Sequence, residues 1–157
     1  MRLSLNWLSD FVDLTVSTAA LADKLTLAGF EVEAVEETRV DFAGVVVARV
    51  EKVAPHPQAD RLVVTEVNDG HRTYQVVCGA PNVQAGVLYP FAAPGGTISE
   101  GRRLKAVKLR GIISEGMLLA EDELGLSDDH ATLMAIPQDL PLGRDLAEAL
   151  HLKDTVL

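Results

Sequence analysis

Cysteine, aromatic residues and net positive charge are all scarce in this sequence, and each shortage excludes something. Cys78 is the one cysteine, so no internal disulfide can form and a reducing, cytoplasmic home is the default expectation. Aromatic residues make up 4% of the 157 positions, which limits any surface that works by stacking. No apolar run approaches the ~20 residues needed to cross a bilayer, so no membrane partner is expected. The N-terminal MRLSLNWLSDFVDL carries acids inside its apolar stretch and lacks a small-residue cleavage site, so it is not a secretion signal. His56, His71, His130 and His151 stand apart, none at metal-ligand spacing with a Cys or an acid, and no zinc or iron site is expected. Gly95-Gly96 and Gly101 form neither a Walker loop nor a GxGxxG fingerprint. Cys78, in an apolar strand, reads as a small core residue, and Glu121, Asp122 and Glu123 as a solvated helix end. The sequence offers no catalytic residue, no metal ligand and no cofactor of its own.

What is present is a pattern of charge. The net charge of -9, taken whole, argues against binding phosphate. It is unevenly spread: residues 1–41 carry -5, residues 42–113 carry +4 and residues 114–157 carry -8. Five of the 14 Lys and Arg fall between Gly101 and Arg110: Arg102, Arg103, Lys105, Lys108 and Arg110. Such a basic island between acidic flanks suits a nucleic-acid-facing surface, although solvated surfaces also vary in sign by chance.

The periodicity predicts two domains. In residues 1–41, Arg2 to Leu5 alternates as a short strand, Asn6 caps a helical turn, and Ser17 opens a helix that Gly29 ends. Phe30 to Glu37 returns as a strand. This α/β piece is too small to bury a core alone and is expected to pack on other chain, residues 145–157 and sequence beyond them included. Its end at Leu157 reads as cut rather than finished.

From Phe42 to residue 144 the pattern is all-β. Strands are predicted over Gly44–Val53, Leu62–Val67, Tyr74–Cys78, Val87–Ala92 and Leu104–Ile113, with Asn68-Asp69-Gly70 as a hairpin turn and Pro94-Gly95-Gly96 turning the chain again. In the last of these strands Val107 and Leu109 face one way and Lys108 and Arg110 the other. A turn at Ser114–Met117, a short helix ended by Gly125, a strand over Leu133–Ile136 and a helix capped by Asp145 complete the chain. The fold class is therefore mainly β with an α+β flank: a five-stranded OB-fold barrel plus a small, incomplete N-terminal α/β unit, with an SH3-like barrel or open meander as the alternative.

The cationic side chains are the binding candidates. If three to five of them meet phosphates, log K falls with log salt at a slope of roughly -2 to -4. Tyr74, Tyr89 and Phe91 are the aromatic groups available for stacking, and they fit a barrel core better. Weak, mainly electrostatic binding of shaped RNA is the expectation.

Three ordered blocks also carry a resemblance: His56-Pro57-x-Ala59-Asp60-x-Leu62, VVCGAPN from Val76 to Asn82, and KLRGIISEGMLLAEDELGL from Lys108 to Leu126. Together they resemble the tRNA-binding OB domain of bacterial phenylalanyl-tRNA synthetase β subunits, of methionyl-tRNA synthetase extensions and of free-standing tRNA-binding proteins. SLNWLSDFVDL followed by LADKLTLAGFEVE is similar to the start of the phenylalanyl-tRNA synthetase β subunit. The resemblance implies an N-terminal fragment of that subunit, with tRNA rather than DNA as partner. It further implies an α subunit and a second β subunit in a heterotetramer, and ATP and magnesium used elsewhere in the enzyme, whose synthetic site lies on the α subunit.

Carried onto this sequence, the family's tRNA-binding face includes Asn82, the basic stretch through Lys108 and Arg110, Ser114 and Met117. Gly79, Gly111, Gly116 and Met117 also fit turns or packing, Asn82 a turn cap, and His56 the ordering of a loop. A free-standing tRNA-binding or dimerisation module, or a structural adaptor inside the synthetase, are the alternatives.

Overall fold

A computed structural model describes all 157 residues. They form two units, Met1–Arg39 with His151–Leu157, and Val40–Leu150. The first unit contains α1 (Leu5–Ser9), α2 (Thr18–Leu27) and β1 (Glu36–Glu37). The second contains β2 (Ala43–Pro55), β3 (Val63–Asn68), β4 (Thr73–Cys78), β5 (Leu88–Ile98), β6 (Arg102–Arg103), β7 (Val107–Leu109), β8 (Ile112–Ser114), β9 (Met117–Leu118) and α3 (Leu146–Ala149). The chain ends in the first unit with β10 (Thr155–Val156), antiparallel to β1.

The second unit is built around β2. Val45, Val47, Ala48 and Val50 are all fully buried, so this strand turns apolar groups to both of its sides as a curled strand must. It pairs antiparallel with β3 along one edge and β5 along the other, and the sheet order is β4-β3-β2-β5-β6 with β9 also on β5. A register shift between Val50 and Lys52 bends β2. Phe91, Leu88, Ile98, Val67, Val76 and Leu119 fill the interior. This is a curled antiparallel half-barrel of five strands, as in an OB-like fold. Thr65, the one fully buried polar side chain, donates its hydroxyl to Val76 O at 2.9 Å. No helix is long and apolar enough to cross a membrane.

Several expectations are corrected. Pro94-Gly95-Gly96 lies inside β5 rather than between strands. The β2–β5 register jumps from Val45↔Ala92 to Ala43↔Thr97, so the extra residues bulge out. Gly95 N–H donates to Leu104 O and Leu104 N–H to Gly96 O, which supplies the partners that the bulged backbone loses to β2. Leu104–Ile113 is not one strand: Arg110 and Gly111 both take positive φ, 51° and 89°, and fold β7 and β8 into a tight hairpin. Leu133–Ile136 forms no strand and contributes only the isolated bridge Ala120↔Leu133.

In the first unit, Ser4 rather than Asn6 caps α1, its Oγ accepting from Trp7 N–H at 3.0 Å. Within the expected Arg2–Leu5 strand, Ser4 bridges to Val156 and Leu3 exchanges backbone hydrogen bonds with Leu157 at 2.9 and 3.0 Å, while Phe30–Glu37 pairs as a strand only at Glu36–Glu37. Ser17 caps α2, and Gly29 at φ 96° closes it while Phe30 N–H reaches back to Leu25 O. Asp154 binds the α1 cap: Ser4 Oγ donates to it at 2.6 Å and Asn6 N–H at 3.1 Å, and these bonds, that of Ser4 first, hold its carboxyl below the usual range. No residue of this unit is buried, and Trp7, Phe11, Leu27 and Phe30 are each more than half exposed.

Candidate nucleic-acid interface

The basic island is divided between two places in the fold: β6 lies beside β5 at one end of the sheet order, and the β7–β8 hairpin is tied to β4 at the other. Arg102 and Arg103 continue the sheet as β6, paired with Ile98 and Thr97 of β5, and both are exposed. Lys105 follows in the link to the hairpin. In the hairpin the pairs are Val107↔Ser114, Lys108↔Ile113 and Leu109↔Ile112. Lys108 therefore shares its outward face with Ile113, while Val107 and Leu109 sit on the opposite face with Ser114. Arg110 occupies the turn itself. Lys108 and Arg110, expected on one strand face, are instead on an outer face and at an apex, and both are exposed.

The five cations differ in availability. Arg102 lies 4.0 Å from Glu123 Oε1, beside a pocket that also holds Asp41, Glu100, Asp122 and Asp128. Burial first, and then the charge of Asp122, push the Glu123 carboxyl up, against the pull of Ala120 N–H and Arg102. Arg103, Lys105, Lys108 and Arg110 make no ion pair. They are the cations free to meet phosphate. Arg72, elsewhere on the barrel, is already engaged. It stacks 4.0 Å over the Tyr74 ring and pairs with Glu115 at 3.3 Å.

The three polar and apolar candidates are occupied within the fold. Ser114 is 2% exposed; its Oγ accepts from Val77 N–H and donates to Gly116 O, both at 3.0 Å. Asn82 is half-buried, its amide clamped on the Leu133 backbone by Nδ2 donating to O at 3.0 Å and Oδ1 accepting from N–H at 2.9 Å. Met117 is half-buried in β9, opposite Ala92. With Val107, Leu109, Ser114, Val77 and Leu133, it lines a mostly apolar cleft of about 380 Å³ under the hairpin. Of the aromatics, Phe91 and Tyr89 are buried, and Tyr89 donates its hydroxyl to Asn82 O at 2.6 Å.

One cation escaped the sequence reading. Arg61 is exposed and free of ion pairs in the loop from 56 to 62, which meets the hairpin where Gln58 approaches Gly111. It stands alone among apolar and acidic neighbours in sequence, so only the fold brings its loop against the hairpin.

A family profile described as "Putative tRNA binding domain" matches residues 45–145. The chain is 48% identical over 156 residues to the phenylalanine–tRNA ligase beta subunit of Syntrophus aciditrophicus, covering 99% of this chain and 19% of that protein. It is 45% identical to the corresponding subunits of Hahella chejuensis and Methylococcus capsulatus, in each case over 100% of this chain and 20% of the relative. The chain thus spans about a fifth of the length of the curated relatives it matches. Among solved structures it is similar to the C-terminal domain of Plasmodium vivax p43, at 23% identity and a TM-score of 0.45, over 68% of this chain and 58% of that one. A protein related to methionyl-tRNA synthetase from Pyrococcus horikoshii matches at the same identity and score, over 63% and 84%.

Proposed function

Since the chain belongs to the tRNA-binding domain family through residues 45–145, we propose that its barrel assists tRNA binding within a phenylalanine–tRNA ligase β subunit. The observation that carries this reading is the run Arg103, Lys105, Lys108 and Arg110, all exposed and none ion-paired. In a chain of net charge -9, four unneutralised cations within eight residues of sequence suit a surface that meets anions. They act on backbone phosphates. Such contacts fix position without reading sequence, in keeping with the burial of Phe91 and Tyr89 away from any stacking role.

Asn82, Ser114 and Met117 serve this surface by shaping what lies beneath it. Ser114 and Asn82 hold backbone with their polar atoms, and Met117 packs under the hairpin. The whole enzyme, on this reading, joins phenylalanine to its tRNA in the cytoplasm as a heterotetramer of two α and two β subunits. ATP and magnesium belong to its other parts. No group of three or more His, Cys, Asp or Glu side chains here is placed to hold a metal ion. The first unit, without a buried residue and with Trp7, Phe11, Leu27 and Phe30 exposed, packs against further polypeptide of that assembly.

Amide exchange with and without tRNA tests the reading. Protection over residues 102–114 is expected, and unchanged exchange there with binding intact would overturn it. A second reading, a protein adaptor, is favoured by Val107, Leu109 and Ile113, which are 49%, 39% and 52% exposed on the same hairpin. Protection of the hairpin by the other subunits in the absence of tRNA would select it.

A further inference from the structure

The hairpin that carries Lys108 and Arg110 is attached to the barrel unequally. The β8 side is tied to β4: Gln75 Nε2 donates to Ile113 O at 2.8 Å, Ser114 Oγ accepts from Val77 N–H, and Glu115 N–H donates to Gln75 O at 2.8 Å. β7 pairs with nothing but β8. One further hydrogen bond holds it, from the ring of His56 to Leu109 O at 3.1 Å.

The tautomer follows from the partners. His56 Nδ1 accepts from Gln58 N–H at 3.0 Å, so the ring proton sits on Nε2 and is donated to Leu109 O. The ring is 6% exposed and its backbone is fixed as well, since His56 N–H donates to Leu62 O at 3.0 Å and prolines stand on both sides. Leu109 lies between Lys108 and Arg110. Its carbonyl is the point at which β7 is hydrogen-bonded to something other than β8. In OB-type barrels, the loop after the first strand and the loop before the fifth are those that hold oligonucleotides. His56 joins those two loops.

We propose that His56 is a positioning residue for RNA binding, a clasp that holds the basic hairpin where Lys108 and Arg110 meet phosphate. The inference rests on the hairpin's being RNA-facing, so its test separates the two. In the full-length protein, His56→Asn keeps an acceptor for Gln58 N–H two residues on but cannot reach Leu109. His56→Gln is long enough to donate to Leu109 O. The readouts are tRNA affinity at low salt and, without RNA, amide exchange across residues 107–114.

His56→Asn is expected to weaken tRNA binding roughly three- to tenfold, the worth of one hydrogen bond, and to speed hairpin exchange, while His56→Gln stays near the parent. Equal losses in both variants would mean a loop-ordering role only and overturn the clasp. So would parental hairpin exchange in His56→Asn. If His56→Asn binds as the parent while Lys108→Ala with Arg110→Ala binds weakly, the clasp fails and the RNA reading stands. If that double variant binds as the parent, the RNA reading fails, and the RNA-free exchange still decides whether His56 clasps β7.

Discussion

Ser114 Oγ accepts the Val77 N–H at 3.0 Å, a side-chain oxygen standing where a neighbouring strand's carbonyl would close the barrel. The hydroxyl proton goes to Gly116 O at 3.0 Å, so both sides of the closure hang on one buried group. Ser114→Ala leaves a buried N–H without a partner and should destabilise the second unit by about 1–3 kcal/mol. Tyr74 and Tyr89 both lie in that unit, so tyrosine absorbance during denaturant unfolding reads it directly. The salt dependence of tRNA binding should not change.

Gly116, two residues on, has φ 104°, and a Cβ there would run into Ala92 O and the Phe91 ring. Neither neighbour can yield, one being backbone and the other the fully buried centre of the core. Gly116→Ala should cost about 2–4 kcal/mol, more than Ser114→Ala, in the same unfolding measurement.

Asn82→Ala removes both hydrogen bonds to the Leu133 backbone. The expected outcome is a stability loss of about 1–3 kcal/mol and faster exchange of Leu133 N–H, with tRNA affinity per folded molecule unchanged. A tenfold loss of affinity without loss of stability would instead make Asn82 a contact.

Two acids should respond to pH in opposite senses. Burial, and then Asp122, place the Glu123 carboxyl above its usual range. A carboxyl raised in the folded state contributes stability while protonated and loses it as pH rises through its folded value. Glu123→Gln should therefore stabilise at pH 7, and the gain should fade on acidification. For Asp69, burial acts to raise the carboxyl, but N–H bonds from Arg72 and His71, joined by the Tyr74 hydroxyl and the His71 ring, together bring it below the usual range. Its contribution is complete above the unfolded value and lost as pH falls through the folded one. Asp69→Asn should destabilise at pH 7 and approach the parent in acid. Paired unfolding curves across pH check both.

The strands were legible where apolar alternation and turn chemistry agreed. Val45 to Val50 announced the buried central strand, and Asn68-Asp69-Gly70 the β3–β4 hairpin. The barrel's far side was not. Leu104–Ile113 alternates like one strand, and the positive φ of Arg110, a residue with no special turn preference, together with that of Gly111 folds it into a hairpin. Pro94-Gly95-Gly96 carries the residues of a turn but serves as a bulge, because Leu104 supplies backbone partners distant in sequence. The cations themselves were plain from composition. Which of them are neutralised was not, since the approach of Arg102 to Glu123 is made by folding. The engagement of Asn82 and Ser114 was hidden for the same reason: Leu133 and Val77 are 51 and 37 residues away.

The central claim is that free cations of the 103–110 stretch meet RNA phosphates, and the salt dependence of tRNA binding tests it most directly. With four phosphate contacts, log K against log salt should have a slope of roughly -3 to -4, and Lys108→Ala with Arg110→Ala should make it shallower by about 1.5 to 2. Arg102→Ala, which removes the cation nearest Glu123, should change the slope least. A slope identical in parent and double variant would contradict the account.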